Sequence, residues 1–559
     1  MPHIVLTVGL GLVLGLAACS GSQPITPPDA RRDRPPGADR GGPDLTLVGD
    51  AGADQGRPDR SRLDLGRDAG PPSPYKLARG LVHLHSVYSH DGCDSKGIVG
   101  GKPDATCLKQ LRDAVCARGF DFACLTDHPS NMSSYTMKED LLFDAAAGDQ
   151  LVLDAGGAPI ANRITCAGGG TALLSVGFEA THMMPLGLHD KPPAGSSLYD
   201  GVTDATGGAA VAAQVQGLKA LGAVAAMVHS EEADISASTI AAGGFEAMEW
   251  YNIHASILAL TGGDKLSADV KSIPALAGLV GKLQALAPFL SGGSGAPHPD
   301  LVYLVLLDKL PQEGFTKWKQ IIGAKKITGL LGSDIHQNVS VDTAMCAGLM
   351  QVVCDGALNL VESTLGITIP TALRSLLLKG GNVILADGDR LDSYGRLMRW
   401  LENRVLVTSL DPVAIQEAMR KGRSYGVFTV FGDPHGFAFA GGQGGKAIVL
   451  GESAAGATTL TLTVPDRPMP IAGGVYFSVA DALTAEVRAR LLRTDAAGTT
   501  LVHEETKLGA TVNKLVSEKG AYHVELWIRP KHLASALGTA SALATKEYLW
   551  LVTNPIVVE

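Results

Sequence analysis

Between residues 80 and 340 the chain carries seven short motifs that each offer an imidazole or a carboxylate, most of them at the end of an apolar run. They are Val82-His83-Leu84-His85, Ser89-His90-Asp91-Gly92, Leu125-Thr126-Asp127-His128, Gly177-Phe178-Glu179, His182, Val228-His229-Ser230 and Gly332-Ser333-Asp334-Ile335-His336. Packing alone does not ask for so many polar groups where strands end, because an ionisable side chain beside apolar neighbours is costly to desolvate without a partner. A shared cluster of cations supplies those partners. On a strand, residues two apart point to the same side, so His83 and His85 are expected to face one cavity, and Asp334 and His336 repeat the spacing. Each motif alone has a plainer explanation, as hydrogen-bonded histidines on a half-buried strand or as a salt-bridged turn. The set does not. Nitrogen and oxygen donors without thiolate suit zinc, manganese or iron. Two such ions about 3.5–4 Å apart would bridge and deprotonate a water and clamp an in-line displacement at phosphorus. They would also neutralise charge on the transferring oxygens.

The elements that must position these groups alternate in type. Residues 81–85, 120–126, 172–179, 223–228, 246–251 and 327–331 read as strands, and 108–118 and 209–221 as helices ending at Gly119 and Gly222. That rhythm predicts an α/β fold with a parallel sheet, open or closed into a barrel. In such sheets ligands bind beyond the carboxyl ends of the strands, where most of the motifs fall. Residues 255–326 read as an Ala/Leu/Gly-rich helical insertion that could cap the site, and 390–403 and 412–421 as further helices. After Gly422 the pattern turns to period two, as in residues 459–464 and 522–527, so 423–559 is expected to be an antiparallel β-sandwich with one helix near 480–492. Asp433, His435 and Gly436 there read as a structural turn.

The order HLH, SHDG, LTDH, GFE, H, VHS and GSDIH resembles the polymerase and histidinol phosphatase (PHP) family of metallohydrolases over about residues 80–340. The resemblance implies a distorted seven-stranded β/α barrel, a site for two or three divalent ions and phosphoesterase activity. It implies His83, His85, Asp91 or His90, His128, Glu179, His182, His229, Asp334 and His336 as metal ligands, with His189 as runner-up to His182. Asp334, His336 and His128 are the residues it assigns to catalysis. Two departures stand out. Ser89-His90-Asp91-Gly92 has one residue more than the family's Ser-Asp-Gly, which leaves Asp91 and His90 in competition. His229 is followed by Ser230-Glu231-Glu232 where a proline is more usual. His254 is either a substrate contact or a loop histidine. Gly422-Arg423-Ser424-Tyr425 is similar to the stretch that closes the barrel in some members. The run from Trp550 to Val557 resembles the close of members with a C-terminal β domain.

The rest of the chain sets the address. Residues 4–16 form an apolar run too short to span a bilayer comfortably, followed by Ala17-Ala18-Cys19. This matches a bacterial lipoprotein signal, cleaved before Cys19 with lipid on that residue. Ser20 then resembles a sorting signal for the outer membrane of a Gram-negative cell. Residues 20–74 are rich in Pro, Gly, Asp and Arg, have no apolar period, and read as a disordered stalk. With 45% apolar and 18% charged residues and a net charge of −9, the body is globular without a basic surface, so nucleic acid is not an expected partner. Membrane contact is expected only through the lipid on Cys19. In an exported chain some cysteines should pair. Cys346 with Cys354, and Cys93 with Cys107 or Cys116, are the expected pairs, and Cys124 a buried thiol. The expectation is therefore a lipid-anchored metal-dependent hydrolase of small phosphate mono- or diesters, using a metal-bridged hydroxide. The alternatives are a carboxylic or carbamic ester hydrolase on the same site, or a non-catalytic envelope protein whose sandwich binds a glycan or protein.

Overall fold

The motifs lie on or between seven strands: β1 (Lys76–Leu84), β2 (Phe122–Leu125), β3 (Thr171–Val176), β4 (Met184–Leu186), β5 (Val224–Met227), β6 (Ala247–Asn252) and β7 (Thr328–Ile335). They belong to a computed structural model that describes residues 74–261, 280, 284–307, 312–341, 350–379 and 381–559. The expected leader, the stalk up to residue 73 and Cys346 of the expected Cys346–Cys354 pair lie outside the described residues.

Hydrogen bonding orders the strands β3-β2-β1-β7-β6-β5-β4, parallel except for β4, which runs antiparallel to β5. β2, β5 and β6 are buried along their whole length. This is why β2 and β5 read as short continuous apolar runs rather than alternating ones. Val82, Cys124, Leu173, Met184, Ala226, Ala247 and Leu330, one from each strand, meet in one core cluster, covered by Ile415, Ala418 and Met419 of the helix Pro412–Arg420. Leu81, Ala123, Leu174, Ala225, Met248 and Leu331 join the larger core with the surrounding helices. Among these is α1 (Ala105–Arg118), capped by Asp104, which accepts from the Cys107 amide at 2.8 Å, and ended by left-handed Gly119 at φ 64°. The fold is mixed α/β with large sheets. Among the described residues no ladder joins β3 to β4, so no closed sheet is found. The Leu188 amide donates to the Val176 carbonyl at 2.6 Å where the two strands come near each other.

The sheet also continues the other way. β8 (Glu402–Val407) lies antiparallel to the first half of β1, and β9 (Ser424–Val427) lies beside it. β12 (Tyr548–Thr553), β11 (Gly520–Arg529) and β10 (Glu486–Asp495) then extend the same sheet. A separate four-stranded antiparallel sheet holds Lys446–Ile448, Ala438–Gln443, Thr458–Thr463 and Thr511–Val516. The Asn554 side chain ties β7 to β9: its Oδ1 accepts from the Gly329 amide at 2.6 Å, and its Nδ2 donates to the Gly329 and Ser424 carbonyls at 3.0 Å each.

Two helix expectations are corrected. Residues 480–492 form the short helix Val479–Ala482 and then β10, because Val487, Ala489 and Leu491 face the core at period two. In 390–403 only Tyr394–Leu397 is helical, and Glu402 begins β8. Among the described residues the disulfides are Cys93–Cys107, one of the two pairings expected for Cys93, and Cys116–Cys166, which the spacing did not suggest. Cys124 is a buried thiol.

Candidate metal centre

His83 faces the site by a route that strand alternation does not describe. Its φ is 63°, and the register of β1 slips between Val82 and Leu84 against β7 and between Leu81 and Leu84 against β2. An irregularity of this kind re-aims a side chain, and His85 lies just past the strand's end. His229 after β5 (φ 51°), Asp334 in β7 (φ 49°) and His182 (φ 55°) are also left-handed without being glycine. Each such residue costs about 1–3 kcal/mol and persists only where its surroundings over-determine it. Among the donors of the main groups, His83 and Asp334 are the ones aimed by such a backbone.

Those donors converge. His83 Nε2 lies 3.0 Å from Glu179 Oε2 and 3.1 Å from Asp334 Oδ1, and His85 Nε2 lies 3.0 and 3.3 Å from the same two oxygens. All four atoms are buried and have no hydrogen-bond partner among the described residues. Four ligands held about 2.0–2.1 Å from one tetrahedral ion stand about 3.3 Å apart, close to these separations. A second group adjoins the first. Asp91 Oδ2 is 3.1 Å from His336 Nε2 and 3.3 Å from His128 Nε2, and the His85 ring stacks on His336 at 3.7 Å. His85, Asp91, His128 and His336 can bring donor atoms within 4.8 Å of one another, as can His83, His85, Glu179 and Asp334.

The tautomers point the same way. His128 Nδ1 donates to the Glu179 carbonyl and His336 Nδ1 to the Asp334 carbonyl, each at 3.1 Å. A carbonyl can only accept, so both Nε2 atoms carry lone pairs when the rings are neutral. His83 Nδ1 donates to Glu249 Oε2 at 2.6 Å. His85 Nδ1 donates to Ser89 Oγ at 3.1 Å, because that hydroxyl gives its own proton to Asp91 Oδ1 at 2.7 Å. Each ring is therefore oriented from outside by Nδ1 and presents Nε2 to the cavity, the arrangement that metal-ligating histidines adopt.

Without cations, protons do the balancing. Burial alone would lower the His83 imidazole, but Asp334, Glu249 and Glu179 overcome it and hold its pKa well above the usual value. Burial also opposes protonation of His128, and Asp91 and Glu179 nevertheless raise it to about 9. Burial would raise the carboxyls of Glu179 and Asp334, yet the surrounding imidazoles hold both well below the usual range. Divalent ions would displace these protons, so binding is coupled to proton release.

Some expected residues stand apart. His90 is exposed and its Nδ1 lies 3.3 Å from Ser130 Oγ, so of the two competitors Asp91 is the one inside the cluster. His182 Nδ1 donates to the Val228 carbonyl at 3.1 Å and its Nε2 meets Asp234 at 2.9 Å, making a separate group with Glu232. His189 bonds Gln416 at 3.0 Å. His229 Nε2 faces the other oxygen of Glu179 at 2.6 Å. His254, by contrast, sits edge-on to His336 at 5.0 Å, and it can bring a donor within 4.8 Å of those of Asp334 and His336. Asp127 stays out of the cluster and accepts from the amide and hydroxyl of Ser86 at 2.5 and 2.6 Å, fastening the segment after β1. Sequence reasoning missed Glu249, which is fully buried and also accepts from Asn252 Nδ2 at 2.9 Å. Its signal was a lone carboxylate inside an apolar strand.

No family model and no curated protein matches the sequence. Among solved structures, the chain is similar to a two-domain protein from Bacteroides vulgatus described as containing a predicted PHP-like metal-dependent phosphoesterase. Identity is 12% and the TM-score 0.30, over 84% of this chain and 94% of that one. A likeness that loose transfers nothing to this chain.

Proposed function

We propose that this chain is a metal-dependent phosphoesterase. The observation that carries the proposal is the convergence of His83 and His85 Nε2 with Glu179 Oε2 and Asp334 Oδ1, all buried and unbonded, with each ring fixed through Nδ1. His83, His85, Glu179 and Asp334 would hold one ion, and Asp91, His128 and His336, beside His85, a second. Such ions supply Lewis acidity toward a phosphoryl oxygen and lower the pKa of water. Glu249, Ser89 and the Glu179 and Asp334 carbonyls hold the imidazoles in place. The buried floor formed by His83 and His85 excludes solvent from beneath the reacting centre. Donors of N and O type fit zinc, manganese or iron.

We take the seven-strand order, with one core cluster fed by every strand and one backbone bond near β3 and β4, as the distorted barrel that the motifs suggest. The proposal extends to a lipid anchor on Cys19, a stalk over 20–74, a barrel unit over 75–422 and a β-sandwich from 423. The supports are the Leu16-Ala17-Ala18-Cys19 run and the composition shifts at those points.

The test is metal analysis of the purified chain, then turnover of aryl phosphate mono- and diesters and of carboxyl esters, with and without chelator. Bound divalent ions and chelator-sensitive phosphate ester turnover are expected. A metal-loaded chain that cleaves only carboxyl esters would refute the bond assignment, and a chain that binds no ion would refute the site.

A further inference from the structure

Of the second group, His128 and His336 come from the ends of β2 and β7, whereas Asp91 belongs to the loop 86–95 that follows β1 and closes in the irregular turn Gly92–Ser95. That loop is held in an unfavourable shape. Gly92 packs against the Ser86 carbonyl so closely that a Cβ would stand 2.4 Å from the oxygen. Cys93, Asp94 and Ser95 follow in succession at φ 57°, 57° and 59°, all left-handed and none of them glycine. L-residues visit this region as single positions rather than runs, so something outside the loop must impose it.

Several contacts do so. The Cys93 amide donates to the His336 carbonyl and the Asp94 amide to the Gln337 carbonyl, each at 2.9 Å. Arg390 grips both oxygens of Asp94 at 2.8 and 2.9 Å. Cys93 is bonded through sulfur to Cys107 in the first turn of α1. Buried Tyr394 completes the arrangement. Its hydroxyl donates to the His85 carbonyl at 2.9 Å and lies 3.9 and 4.0 Å from the two sulfurs. One covalent link thus joins the loop that bears Asp91 to a rigid helix, and its immediate neighbours, the Tyr394 hydroxyl and the Cys93 amide, hold the carbonyls of His85 and His336.

We infer that the Cys93–Cys107 disulfide, with Tyr394 packed on it, is the positioning device for Asp91, and that the second ion is held tightly only while this bond is intact. The inference rests on the metal-centre reading above. Three donors of the first group, His83, Glu179 and Asp334, come from β1, the segment after β3 and β7, and only His85, through Ser89 Oγ, leans on the loop, so the first ion keeps most of its hold without it. Cys116–Cys166, at the other end of α1, provides the internal comparison because it ties that end to the residue following the strand Pro159–Thr165.

The full chain is loaded with Zn²⁺ and, separately, with Co²⁺, whose visible absorption reports coordination. Cys93→Ser/Cys107→Ser is compared with Cys116→Ser/Cys166→Ser by ion content, chelator competition and thermal melting. Cys93→Ala/Cys107→Val is made alongside to fill the space of the sulfurs if the serine pair fails to fold. The expected result is that affinity for the second ion falls by about 10–100-fold in either Cys93/Cys107 variant, as for loss of an orienting contact. The Co²⁺ spectrum should lose one class of site, while the first ion stays. The Cys116/Cys166 variant should keep both ions even if it melts lower. A folded Cys93/Cys107 variant that binds both ions with wild-type affinity, or an equal loss in the Cys116/Cys166 variant, would overturn the inference. A wild-type chain that takes up no ion overturns the metal-centre reading itself.

Discussion

Gly332 lies in β7 opposite Val82 of β1, and a methyl group added to it would point at Glu249. The ideal Cβ would stand 1.6 Å from Glu249 Oε2 and 2.2 Å from its Cδ. In Gly332→Ala the carboxylate must therefore retreat by roughly 2 Å to reach ordinary contact. Glu249 has no spare room, being fully buried with His83 on Oε2 and Asn252 on Oε1. The retreat breaks the 2.6 Å bond to His83 Nδ1, which aims Nε2 at the first ion. Forcing a methyl group into a packed interior costs about 1–3 kcal/mol, which lowers the melting temperature without unfolding a chain of this size. Freeing the ring should weaken the first ion by about 10–100-fold, equivalent to about 1.4–2.7 kcal/mol. Chelator competition followed by metal analysis reads the affinity, and calorimetry the stability. A Gly332→Ala chain that melts lower yet holds the first ion at wild-type affinity would show that Glu249 does not orient His83, and the reasoning would fail.

Two further outcomes follow from the geometry. His182→Gln should leave the ions of both main groups in place, because the His182 ring is spent on the Val228 carbonyl and Asp234; a drop in ion content by metal analysis would place His182 among their ligands after all. His532 is buried, its Nε2 donates to the Phe431 carbonyl at 3.0 Å, and burial pushes its pKa down to about 4 despite that bond. The unfolded chain takes up this proton near pH 6.5 and the folded chain only near 4, so stability contributed by neutral His532 is present above 6.5 and lost as pH falls through the window, by about 3 kcal/mol in full. Urea unfolding of wild type and His532→Gln from pH 7 to 4 should give curves that converge on acidification, and parallel curves would rule the effect out.

Much of the candidate site was legible because an ionisable residue just beyond an apolar strand announces itself. His85, His128, Glu179, His229 and His336 stand out on that ground and His83 and Asp334 by their spacing of two from His85 and His336, whereas Asp91 is one of two candidates that only the family resemblance favours; the fold brings these residues into adjoining groups. What spacing could not show is how they get there. Alternation foretold that His83 and His85 share a side, whereas the backbone achieves it through a left-handed residue and a register slip set by neighbouring strands. Glu249 was hidden because it sits mid-strand, where its partner His83 is 166 positions away. The His90 and Asp91 competition could not be decided locally, since the turn is shaped by Cys93, Arg390 and the end of β7. Residues 480–492 misled because Ala, Leu and Arg favour helices by propensity, while pairing with β11 imposed a strand.

Asn554 reaches back 225 positions to staple Gly329, at the start of the strand that carries Asp334 near its end. A nascent polypeptide still attached to a ribosome before that asparagine emerges would lack this clasp on β7. The clasp on β7 can therefore close only after translation has passed residue 554.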